Sequence, residues 1–129
     1  MTNEYPASHI LAIKVLDGLS FIVGLALLAI PVIHRFYPGD FDTTVHVTLG
    51  SLIAVCAIFR VLVAFGSAWL EIVLCALGVL TFSLPHLMHK RFDAHYNYVH
   101  LALGISLIAL SIISGVFTFF ELNRRRSAR

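Results

Sequence analysis

Apolar residues fall along this chain in four long runs separated by three short polar breaks. The runs occupy about Val15–Ile33, Val45–Phe65, Trp69–Met88 and Val99–Phe120. Each is roughly 20 residues long, enough at about 1.5 Å per residue for a helix to cross a hydrocarbon layer of about 30 Å. Lipid offers no hydrogen bonds to exposed backbone, and the runs are too long and continuous for barrel strands, so the pattern predicts four helices. The first break, His34 to Thr44, carries Pro38-Gly39 and Asp40, a strong turn signal. The second is little more than Gly66-Ser67-Ala68, which forces helices two and three into an antiparallel pair, with Trp69 suited to the membrane interface. The third runs from about His89 through Lys90, Arg91, Asp93 and His95 to Tyr98. Ahead of the first run, Met1 to Ser8 is polar and is expected to be extended at Pro6. No small-residue cleavage site follows it, so the first run is expected to remain as an anchor.

The pattern is duplicated. Leu16 to Pro31, LDGLSFIVGLALLAIP, returns as Leu70 to Pro85, LEIVLCALGVLTFSLP, at an offset of 54 residues. Under that offset, without a gap, Asp17 falls on Glu71, Gly24 on Gly78, Pro31 on Pro85, Val45 on Val99, His46 on His100, Leu49 on Leu103 and Gly50 on Gly104. Asp17, Gly24 and Pro31 are seven apart, nearly two turns each, so they share one helix face, and Glu71, Gly78 and Pro85 repeat that stripe. Mid-helix glycines permit close approach of a neighbouring helix, and the prolines kink or end their helices. Gly50 with Ala54, and Ser111 with Gly115, add small-residue spacings for tight crossings. Two helices per copy is an even number, so both copies insert with the same orientation. The expectation is an all-α fold: one membrane domain over residues 1–129, a four-transmembrane-helix bundle built from parallel tandem hairpins, about 15–65 and about 69–120.

Composition removes the soluble alternative: the chain is 59% hydrophobic and 12% charged, with a mean hydropathy of +0.91. The net charge of +2 does not imply a nucleic-acid partner, because the basic residues lie where topology wants them. Lys14, Arg60, Arg124, Arg125, Arg126 and Arg129 fall toward the termini, against Arg35, Lys90 and Arg91 on the opposite side. That bias predicts a multi-pass protein of the bacterial inner membrane with both termini cytoplasmic, Arg60 counting weakly because it can lie inside helix two. Beyond the bilayer itself, Glu121 and Arg124 to Arg126 read as a solvated tail able to bind anionic lipid. Cys56 and Cys75 sit in separate runs with no CxxC spacing and are expected to be packed thiols without a bridge.

An acid, a glycine seven residues on and a proline seven beyond that, twice in one chain, resembles the SPW-repeat family of small bacterial and archaeal membrane proteins. The resemblance covers roughly Val15 to Phe117 and includes Trp69-Leu70-Glu71, which looks like the family's repeat start. The chain departs from the family at the tripeptide that names it: Ile30-Pro31-Val32 and Leu84-Pro85-His86 keep the proline but neither serine nor tryptophan. The resemblance implies a four-helix membrane fold and brings no catalytic residues.

Seven histidines are candidates for chemistry, and six of them, His34, His46, His86, His89, His95 and His100, fall toward one face of the membrane, with His9 at the other. Imidazole is a common ligand for haem iron, copper and zinc. His46 and His100 are repeat equivalents, expected at equal depth, and each precedes a glycine by four residues, the arrangement a bis-histidine haem b between helices two and four would need. The competing reading, which is preferred, places both rings at the headgroups, with leucine and isoleucine filling the space between the two helices. His86 and His89 have an i, i+3 spacing that metal binding can use, without an HExxH or cysteine partner.

Asp17, Arg60 and Glu71 are ionisable residues inside or beside apolar runs, where a lone charge is costly. Asp17 and Glu71 are expected in the first turns of helices one and three, favoured by the helix dipole, with Arg60 snorkelling to the same level in a structural cluster. No phosphate-binding glycine loop, Ser/His/Asp arrangement or catalytic cysteine context occurs, so no enzymatic activity is expected. The leading functional expectation is a structural or accessory membrane protein without a cofactor, acting through self-association as a homo-oligomer or as a subunit of a membrane complex. A haem- or metal-binding electron-transfer subunit is the alternative. A small transporter or proton-conducting module around Asp17, Glu71 and Arg60 is the third.

Overall fold

The computed structural model describes residues 5–33, 39, 41–63, 68–87 and 94–129. Among these residues the regular elements are four helices: α1 (Tyr5–Ile33), α2 (Phe41–Leu62), α3 (Trp69–Leu87) and α4 (Ala94–Ser127). All four are long and apolar enough to cross a membrane. α1 packs on α2 and α4, and α3 packs on α4 and, more lightly, on α2, which leaves α1 facing α3 and α2 facing α4 across the diagonals of a four-helix bundle. The chain is a membrane protein turned inside out relative to a soluble bundle. Leu11, Ile22, Val55, Ile72, Ile105 and Phe119 point outward, while His46, Arg60, His100, Ser111, Ser114 and Thr118 are buried. Between them runs an apolar core that includes Leu27, Ile53, Leu74 and Leu107.

The helices reach beyond the apolar runs that announce them. α1 already begins at Tyr5, so the tail expected to be extended is helical from there, with Pro6 in the first turn, where a missing N–H costs nothing. α4 starts at Ala94 rather than near Val99 and continues to Ser127 rather than Phe120. α2 begins four residues ahead of Val45, with Asp42 in its first turn at the positive end of the helix dipole. An apolar run marks contact with lipid, whereas a helix continues for as long as its own hydrogen bonds close. The longer α1 and α4 also explain why their interface is richer than that of α2 and α3: at the termini end the His9 ring packs edge-on to Phe117, with centroids 5.6 Å apart.

Each hairpin is cinched by a glycine pair. A Cβ on Gly24 would lie 2.8 Å from the Ala54 nitrogen and 3.0 Å from the Gly50 oxygen, and one on Gly50 would lie 2.8 Å from the Gly24 oxygen. In the second hairpin a Cβ on Gly104 would lie 2.6 Å from the Phe82 nitrogen, and one on Gly78 3.0 Å from the Ile108 nitrogen. Gly115 differs from its expected role. A Cβ there would meet only Glu71 Cβ, at 3.9 Å, so Ser111 and Gly115 line a groove instead of a tight crossing. Pro31 and Pro85 sit two residues before the last residues of α1 and α3. Gly39 adopts φ +90, a conformation that suits glycine in the turn. Pro38, Asp40, Gly66 and Ser67 lie outside the described residues.

Candidate functional site

The buried face of α2 carries His46, Leu49, Gly50, Ile53, Ala57 and Arg60, the three- and four-residue steps of one helix stripe. That stripe sets two polar side chains into the bundle interior, 14 residues or about 21 Å apart. Each becomes the centre of a polar layer.

In the first layer His46 and His100, both 0% exposed, meet across the diagonal with their Nε2 atoms 2.9 Å apart and ring centroids 4.9 Å apart at 65°. The rings therefore face each other inside the bundle and not lipid or headgroups, and leucine and isoleucine do not separate the helices here. Repeat-equivalent positions converge on the approximate twofold axis, where one imidazole donates to the other. His46 Nδ1 lies 2.6 Å from the Asp42 carbonyl oxygen. A carbonyl only accepts, so Nδ1 carries the proton, and in the neutral ring Nε2 accepts from His100 Nε2–H. Two imidazoles on one iron need nitrogens roughly 4 Å apart, twice an iron–nitrogen bond of about 2 Å. The direct contact does not fit an iron between these rings.

Among the described residues no other histidine joins them. His86 is exposed. His34 and His89 lie outside the described residues, as does the side chain of His95. Among the described residues no three of the side chains His, Cys, Asp or Glu converge to hold a metal ion.

In the second layer, Arg60 joins all four helices. Its Nη2 lies 2.7 Å from Glu71 Oε1 on α3 and donates to Thr118 Oγ1 on α4 at 2.9 Å, and its Nε lies 3.5 Å from Asp17 Oδ2 on α1. Ser114 Oγ lies 2.7 Å from Glu71 Oε1 and 3.3 Å from Asp17 Oδ1. Thr118 in turn donates to the Ser114 carbonyl at 2.9 Å. The structure thus brings Asp17, Arg60 and Glu71 together, with two departures from expectation. Arg60 does not snorkel: its side chain is 0% exposed, because two carboxyls await it inside. Asp17 lies three turns into α1, so its placement owes nothing to the helix dipole, whereas Glu71 keeps its first-turn position in α3. Ser114 and Thr118 are additions that sequence reasoning missed. The repeat offset sets Ser114 against Arg60, a weak pointer among many helix hydroxyls, and Thr118 against Ala64, which is none.

Further toward the C-terminus, buried Glu121 holds Arg124 at 2.7 Å and Arg125 at 3.1 Å, so two of the three tail arginines fold back onto the bundle while staying about half exposed. Cys56 and Cys75 are free thiols, half-buried on α2 and α3.

A groove of about 530 Å³ opens between α3 and α4, lined by Glu71, Cys75, Ser111, Gly115 and the lipid-facing Ile72 and Phe119. The repeats differ at this place: where the first hairpin has Phe21 and Val61, the second has the smaller Cys75 and Gly115. Among comparisons with known proteins, a family model described as the SPW repeat domain matches residues 14–114. That span takes in both glycine pairs, both buried histidines and the arginine cluster apart from Thr118. No curated protein and no solved structure matches the chain.

Proposed function

This chain belongs to the SPW repeat family, and from that membership we propose that it is a non-enzymatic structural or accessory protein of the bacterial inner membrane, with both termini cytoplasmic. The observation that carries this reading is the burial of the polar layers inside the bundle. Arg60, His46 and His100 are 0% exposed, and their partners come from the bundle itself. Groups so enclosed hold helices in register; a reaction centre needs a path for substrate. The apolar outer surface, with Val32, Leu62 and Phe41 more than 70% exposed, suits the bilayer and a second membrane-embedded copy or subunit.

The electron-transfer alternative has the His46–His100 pair in its favour and the direct ring contact against it. The transport alternative has the charged cluster in its favour. Against it stand Leu27, Ile53, Leu74 and Leu107, fully buried residues of the apolar core along the bundle. The test is an absorption spectrum of the purified full chain, taken alongside ion flux in proteoliposomes. We expect no haem band and no flux above that of empty vesicles. A stoichiometric haem band lost in His46→Ala and His100→Ala would establish the electron-transfer reading, and flux abolished by Arg60→Leu the transport reading.

A further inference from the structure

We propose that the Asp17–Glu71 carboxyl pair is a proton-binding site, in which two acids that share a single arginine hold one proton between them.

Charge makes the first argument. Among the described residues, Arg60 is the one cation paired with either acid. Of the other groups near this end, Lys14 is exposed, the His9 ring rests against Phe117, and Glu121 is occupied by Arg124 and Arg125. The Asp17 and Glu71 side chains are 1% and 6% exposed. With both ionised, two negative charges would face one positive charge inside a bundle surrounded by lipid. Buried carboxyls in that position take up a proton to restore balance.

Hydrogen bonds make the second argument independently. Ser114 is within reach of both acids, yet a hydroxyl has one proton to give. Asp17 Oδ2 and Glu71 Oε2 are buried and receive no hydrogen bond from any described residue. The two carboxyls nevertheless converge on that one hydroxyl, Glu71 Oε1 at 2.7 Å and Asp17 Oδ1 at 3.3 Å. Carboxylates only accept, so two ionised acids converging on one hydroxyl repel each other, whereas a proton on one of them supplies a further donor. The donor that this layer lacks is the proton itself. The repeat accounts for its origin: duplication supplied two acids, whereas the position that is Arg60 in the first copy is Ser114 in the second, so the cluster has two acids for one base.

Infrared difference spectroscopy on the full chain in lipid nanodiscs reads this directly. At a pH where exposed carboxyls are ionised, the wild type should show one protonated-carboxyl carbonyl stretch that shifts in D₂O and vanishes on alkaline titration. Asp17→Asn and Glu71→Gln should each abolish it, because the acid that remains pairs one-to-one with Arg60 as a carboxylate. Glu121→Gln should leave it unchanged. Thermal stability supplies a second reading. A proton held more tightly by the folded chain stabilises below its titration and is lost as pH rises through it, so wild-type stability should fall on that limb while Asp17→Asn stays level. A wild type without the band, or a band that survives both single substitutions, would overturn the proposal. The wild-type spectrum decides even if a variant does not fold.

Discussion

At Arg60 the guanidinium reaches Glu71, Asp17 and Thr118, so removing it leaves two carboxyls and a hydroxyl without their shared donor. Breaking a buried pair from one side typically costs about 3–5 kcal/mol, since the stranded charge is paid for in full. Arg60→Leu should therefore lower unfolding stability in detergent by about that amount, and adding Asp17→Asn and Glu71→Gln should recover a large part of it. Independent, additive effects in that series would refute the shared layer. The histidines obey the same logic at smaller scale. His46→Leu strands the His100 donor and should cost about 1–3 kcal/mol, with the double His46→Leu, His100→Leu variant costing less than the sum of the singles. The ionisable members of these layers were legible because a charge in an apolar run is conspicuous. Ser114 and Thr118 were not, since membrane helices carry many hydroxyls that bond their own backbone, as Ser111 and Thr81 do here. The depth of His46 was legible, but its direction was not. A helix face is known only once the neighbours are, and headgroup water competes with a second imidazole for the same ring.

At the scale of the element, glycine spacing in sequence treats Gly104 and Gly115 alike, and packing separates them. A Cβ on Gly104 would press on the Phe82 backbone at 2.6 Å, which cannot swing aside as a flexible side chain can. One on Gly115 meets an ordinary contact at 3.9 Å. Gly104→Ala should therefore destabilise the α3–α4 hairpin by about 1–3 kcal/mol, the usual range for overpacking, and Gly115→Ala should be close to neutral. Parallel thermal denaturation of the two variants in one detergent checks this, and equal losses would contradict the crossing geometry. Helix ends were the least legible feature. Hydropathy placed the start of the last helix near Val99 and its end at Phe120, while α4 spans Ala94–Ser127. Its final turns run outside any apolar pattern, with Glu121 closing a local ion pair to Arg124 and Arg125.

Over the whole molecule, duplication dictates more than helix number. The copies insert in parallel, so equivalent residues fall at equal depth, and those on inward faces converge: His46 meets His100 at one level, and Arg60 and Ser114 both reach Glu71 Oε1 at the other. The same arrangement changes how charge specifies orientation. Arg60 is buried against two acids and presents no positive charge at the surface, so it drops out of the loop count. Lys14, Arg124, Arg125, Arg126 and Arg129 remain at the termini end against Arg35, Lys90 and Arg91, of which the latter three lie outside the described residues. Five basic residues still outweigh three, and the pairing of Glu121 alters this little because orientation follows Lys and Arg rather than net charge. Reporter fusions after Arg129 and within residues 38–42 should therefore report opposite sides, the first cytoplasmic. Arg60→Gln should leave that orientation unchanged even where it weakens the bundle. Replacing Arg124, Arg125 and Arg126 together with Gln should reduce the fraction correctly oriented, because it leaves two basic residues against three. An orientation that follows Arg60 instead of the C-terminal arginines would mean that its charge is read before the bundle closes around it.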